Sequence, residues 1–289
     1  MAFALWAPPS LVGLPFVGLV VATRPRTTVE WGAAAAVGLP SVGLLLVPGG
    51  DLLTGFIRAY AVLVTAAFAT LTRFARGEAS FLRLAVRASL VAGVAVVALA
   101  SARFGNSVWS ALHWEATRVA SATMRMVVQI EPRTFALFEP IVRFASDTLP
   151  ATLALQTLAG LALAWQWHWR VARSPLGPPL APFRQFSFGD HWVWVIVASL
   201  GCVIAPVVTG LKLAAVNVLI VLGALYLIRG IAIVVAFSGA LGLAPAVLVV
   251  GGIVAAVLAV PLVLLVPGLA TLGLSDTWLE FRRRLKAPA

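Results

Sequence analysis

Two arginines lie inside stretches that are otherwise apolar: Arg58, six or seven residues into one of them, and Arg229, well inside another. An ionisable group at bilayer depth costs about 2.5–3.5 kcal/mol on insertion scales and is a functional candidate by default. Either side chain can instead run its stem along the helix and leave the guanidinium among headgroups. The position of Arg58 favours that outcome, and Arg229 leaves both open. Asn217 and Tyr226 share the stretch that holds Arg229. On a helix, Asn217 and Tyr226 are about 2.5 turns apart and fall on opposite faces, whereas Asn217 and Arg229, about 3.3 turns apart, lie nearer one side. An amide and a guanidinium in line could bind an anionic or polar solute, or bond a neighbouring helix. Asn217, Tyr226 and Arg229 are therefore the candidate ligand-binding residues.

The rest of the catalytic inventory is thin. His113, His168 and His191 occur singly, without an H-E-x-x-H pair, and no metal site is indicated. There is no P-loop and no G-x-S-x-G elbow. Asp190 beside His191 could orient a base, but at the start of an apolar stretch it reads more simply as an N-cap. Asp276 likewise reads as the N-cap of a short helix over 277–286 with a basic last turn. Asp51 with Arg58 is the nearest approach to paired titratable groups, and it lacks a base. No catalytic residue, cofactor or metal is expected, and the chain reads as a non-enzyme.

These residues must be positioned by apolar helices. Hydrophobic residues make up 61% of the 289 and charged residues 11%, against about 45–50% and 25% in soluble domains. Lipid must therefore be the solvent for much of the surface. Stretches long enough to span fall at about 3–22, 30–48, 52–72, 84–102, 150–169, 191–210 and 213–237, with a further apolar run over 244–275. To bring the basic tail to the cytoplasm, 230–275 crosses twice, turning near Gly251-Gly252, or one stretch is a broken or re-entrant helix around Pro261 and Pro267, or the charge rule fails at the tail; the count is eight or nine spans in one all-α integral membrane domain over 1–289. No basic region precedes the first stretch, so it reads as a retained span. Small-residue pairs such as Gly32/Ala36 and Gly160/Ala164 are expected by chance at this composition.

The net charge of +11 is explained by topology, not by nucleic acid. Arg24, Arg26, Arg73, Arg76, Arg83, Arg87, Arg170, Arg173 and Arg184 fall in alternate loops, which puts those loops in the cytoplasm and the N-terminus outside. Membrane lipids are the expected partners of this charge. The basic tail at 277–289, with Arg282, Arg283, Arg284 and Lys286, is expected in the cytoplasm. Trp165, Trp167 and Trp169 closing one span, and Trp192 and Trp194 opening the next, read as interfacial anchors. Cys202 is alone and makes no internal disulfide.

One excursion, 103–149, is not lipid-like. Val108, Leu112, Ala116, Val119, Thr123, Val127 and Ile130 recur at helical spacing, with Asn106 or Ser107 as a cap and Pro132 as a stop. Phe135, Phe138, Val142, Ala145 and Leu149 continue as a second amphipathic helix. This extracytoplasmic pair could cover a substrate site, dock a partner or lie on lipid.

The run Leu272-Gly273-Leu274-Ser275-Asp276-Thr277-Trp278-Leu279-Glu280-Phe281-Arg282-Arg283 resembles the closing signature of the YybS-like bacterial multi-pass membrane proteins. Leu149-Pro150-Ala151, Pro182-Phe183-Arg184, and Asn217 with Leu225-Tyr226 and Gly230 fit the same family. Arg229 stands where that family leads one to expect a neutral polar residue. The family is distantly similar to the S components of energy-coupling-factor transporters. The resemblance implies a bacterial inner-membrane protein with a small-molecule pocket among the later helices and dependence on a separate ATPase module. The sequence thus points to binding, or transport, of a small solute. The competing class is a membrane scaffold that docks a partner protein.

Overall fold

The computed structural model describes residues 9–48, 51–75, 80–105, 107–130, 135–205, 209–242 and 260–281, with single residues 247, 251 and 254. Every regular element among them is helical. The ten α-helices are α1 (Pro9–Ala22), α2 (Thr28–Leu46), α3 (Leu52–Phe74), α4 (Phe81–Phe104), α5 (Ser107–Ile130), α6 (Phe135–Asp147), α7 (Leu149–Val171), α8 (Trp192–Ile204), α9 (Lys212–Ala240) and α10 (Val260–Leu279). The chain divides into two compact units, Met1–Leu180 and Ala181–Ala289.

In the first unit α1 is apolar on every side and lies in contact with α2, α3 and α7. Its Leu11, Leu19 and Val20 are fully enclosed, as befits a helix without a polar face. Gly160 on α7 meets α1 so closely that a Cβ there would collide with the carbonyl of Leu11. The Gly160/Ala164 pair is thus a packing seam, while Gly32 faces open space. Thr27 and Glu30 form a capping box: the Thr27 hydroxyl accepts from the Glu30 amide, and the Glu30 carboxylate accepts from the Thr27 amide. The other Glu30 oxygen accepts from the Arg173 amide at 2.8 Å, tying the end of α7 to the start of α2.

Trp165 corrects the expectation of an interfacial anchor. It is buried among Phe68 and Phe81, and its indole donates to the Pro178 carbonyl at 3.2 Å. His168, one turn on, is also fully enclosed. Trp194 stays exposed, as an anchor should be.

By length and composition α2, α3, α4 and α9 can each cross a membrane, and α6 with α7, bent by 59° at their junction, can make a fifth crossing. The outward faces of these helices carry large apolar side chains, such as Leu39, Leu90 and Val94. The eight or nine spans read from hydropathy are more than these helices supply. Three apolar stretches yield shorter helices: α1, α8 and the described part of the last one. For α8 the cause is local, because Ala205 precedes Pro206 and is extended, as the residue before proline prefers. The suggested turn at Gly251-Gly252, Asn106, Pro132, Arg76 and the tail from Arg282 to Lys286 lie wholly or partly outside the described residues.

Candidate functional site

In the second unit α9 and α10 pack along their length. Two glycines set the distance. A Cβ on Gly230 would strike the Leu269 carbonyl, and one on Gly273 would strike the Tyr226 carbonyl. Backbone meets backbone there, the arrangement that small residues allow between apolar helices. Next to this crossing, Arg229 Nε donates to Asp276 Oδ2 at 3.0 Å and Arg229 Nη1 to Asp190 Oδ1 at 3.1 Å. Nη1 also reaches Thr277 Oγ1 at 3.4 Å. The guanidinium lies 5.7 Å from the centre of the Phe188 ring, which in turn meets Tyr226 edge-on at 4.8 Å.

Arg229 is therefore neither snorkelling nor free. Its side chain is 6% exposed and that of Asp276 3%, while Asp190 remains 64% exposed. The guanidinium is compensated from within by two carboxylates, which leaves no unmatched positive charge for an anionic solute. Asp276 is not an N-cap: it lies in the last turn of α10, so no helix starts at 277. Asp190 is not the cap of α8 either. His191 occupies that position without a side-chain cap bond, and the Asp190 carboxylate turns to Arg229. Tyr226 shares the cluster, its buried hydroxyl lying near Thr277. Asn217 does not. It sits about 18 Å along α9 from Arg229 at ~1.5 Å per residue, and its amide donates to the Leu213 carbonyl one turn back.

The signal that could have found the partner of Arg229 was present. Tyr226 with Gly230, and Gly273 with Asp276, belong to two of the four stretches that carried the family resemblance, and they face each other across α9 and α10.

The first unit holds the described cavity. It has a volume of about 480 Å³ and lies between α3 and α4 at the start of α5. Its walls include Phe56, Ala59, Val96, Leu99 and Val108, and Asp51 and Arg103 line it as well. Val108, Leu112 and Ala116, part of the stripe read from the sequence, are buried against Leu53 and Ala100. Val119, from the same stripe, is exposed. Two polar contacts fasten α5 at this end. Arg118 pairs with Asp51, and Glu115 Oε2 accepts from the Leu53 amide at 3.3 Å. Asp51, at the cap position of α3, makes no capping bond of its own, so α3 is capped by a side chain 62 residues away. Arg58 donates to the Val47 carbonyl and does not pair with Asp51. Among the described residues no group of three or more His, Cys, Asp or Glu could hold a metal ion.

A family model described as "Predicted membrane protein (DUF2232)" matches residues 10–277. The chain belongs to this family. It is thus a predicted membrane protein built of apolar helices, and both the cavity and the Arg229 cluster fall within the matched residues. No curated protein and no solved structure matches the chain.

Proposed function

We propose that this protein binds a small solute in the cavity beneath α5, as a binding or transport component of a bacterial inner membrane and not as an enzyme. The observation that carries this reading is the cavity itself. Its volume of about 480 Å³ falls within the roughly 300–1,000 Å³ typical of small-ligand sites, as does its mostly apolar lining with a few charged groups. The helix that borders it is amphipathic: Val108, Leu112 and Ala116 pack against Leu53 and Ala100, and Arg118 and Glu115 add polar contacts at its edge. In this reading the start of α5, at Val108, covers the site. The Arg229 cluster is the bond that fixes α9 to α10, which leaves the second unit free to serve as a rigid body against a separate partner.

The test is native mass spectrometry of protein extracted gently from its own membranes, compared with the Gly55→Phe variant. Gly55 lines the cavity, and a Cβ there meets open space, so phenylalanine fills the cavity without forcing the backbone. A small molecule bound one to one in the natural protein and lost from the variant supports the reading. Equal occupancy in both would overturn it.

A further inference from the structure

We propose that the ligand of this cavity is an anionic amphiphile, with an acyl chain between α3 and α4 and a carboxylate or phosphate head at Arg103. The inference rests on the solute-binding reading and names its ligand class.

The two ends of the cavity differ chemically. Away from the helix ends its lining is apolar, Phe56 and Ala59 from α3 and Val96 and Leu99 from α4, and with Ala59 and Leu99 exposed this part is a groove open along its outer side. At the helix ends stand Asp51 and Arg103. Asp51 is engaged by Arg118, and Glu115 by the start of α3. Arg103 is different. Its guanidinium lies over its neighbour Phe104, 5.6 Å from the ring centre, and has no carboxylate partner among the described residues. Of the two charged residues that line the cavity, Arg103 is therefore the one without a counter-ion.

From Asp51 to Ala59, and from Arg103 back to Val96, the lining extends about 11–12 Å along each helix at ~1.5 Å per residue. A bound head at Arg103 would thus trail several methylenes into apolar surroundings. A compact hydrophilic anion would gain nothing from those walls, and a neutral lipid would leave Arg103, which is exposed, to water and draw nothing from its charge. The mouth also lies at helix ends, where headgroups meet water, and Gly105, with φ +67°, makes the tight exit from α4 that brings Val108 over the cavity.

The experiment uses the full chain, delipidated in a neutral detergent, titrated with oleate, oleyl phosphate, oleyl alcohol and inorganic phosphate. Oleate and oleyl phosphate should bind about tenfold or more tighter than oleyl alcohol, the worth of one charge-assisted hydrogen bond. Inorganic phosphate should neither bind nor compete. Arg103→Gln should bring the anions to the affinity of the alcohol, and Gly55→Phe should abolish binding of all three oleyl compounds. Equal affinity for oleate and oleyl alcohol, or no effect of Arg103→Gln, overturns the anionic class, even if Gly55→Phe still blocks the cavity. Competition by inorganic phosphate overturns the amphiphile in favour of a hydrophilic anion. Binding untouched by Gly55→Phe overturns the cavity reading itself, whichever head is preferred.

Discussion

Arg229 and Arg103 are the same side chain in opposite settings. In the second unit Arg229 is buried between two carboxylates and an aromatic ring at a point where two helices touch backbone to backbone. In the first unit Arg103 stands at a cavity mouth with no carboxylate partner among the described residues. A charge inside an apolar protein has two stable solutions: a fixed internal partner, or an open position where solvent or a ligand supplies one. Burial alone, the usual flag for function in a membrane protein, selects the arginine that is already satisfied.

Four substitutions probe this contrast, in order of expected effect. Asp276→Ala should cost about 3–5 kcal/mol, because it leaves the Arg229 charge buried without its enclosed partner. Thermal melting in detergent would show it, and the double variant Arg229→Met/Asp276→Leu should recover most of the loss. Failure of the double variant to recover stability would mean that the pair does more than join two helices. Gly273→Ala should cost about 1–3 kcal/mol, the range for overpacking, because the Tyr226 carbonyl cannot retreat as a side chain could. A variant that melts with the natural protein would show that α9 and α10 do not meet so closely. Glu115→Ala should cost about 1 kcal/mol, the worth of a helix cap, and should speed proteolysis of α5 while sparing α9 and α10. Asp190→Ala should cost only about 0–1 kcal/mol, as exposed ion pairs do. A loss as large as that of Asp276→Ala would place Asp190 inside the structure, not at its edge.

The helical class was legible in the sequence because lipid imposes long apolar runs, and among the described residues most of those runs hold a helix, although fewer of these helices than expected are long enough to span. The helices of the 103–149 excursion followed from spacing alone. What escaped was governed by contacts distant in sequence. Asp190 and Asp276 each looked like a cap because each sits near a helix end, and only the packing of Arg229 against both reveals their use. Trp165 looked like an anchor because it stands in a row of tryptophans near a span's end, but its own indole finds the Pro178 carbonyl. Gly160/Ala164 and Gly32/Ala36 are the same pattern, and only the approach of α1 separates them. The cavity was invisible for a similar reason. Asp51, Gly55, Arg103 and Val108 come from three helices, and none of them carries a motif.

The central claim is that ligand binding belongs to the cavity in the first unit and rigidity to the Arg229 cluster in the second. The most direct test measures bound small molecule per chain, by native mass spectrometry, in Gly55→Phe and in Arg229→Met/Asp276→Leu prepared side by side. The account predicts occupancy lost in the first and kept in the second. Occupancy kept in Gly55→Phe and lost in the double variant would contradict it and return the binding site to Arg229.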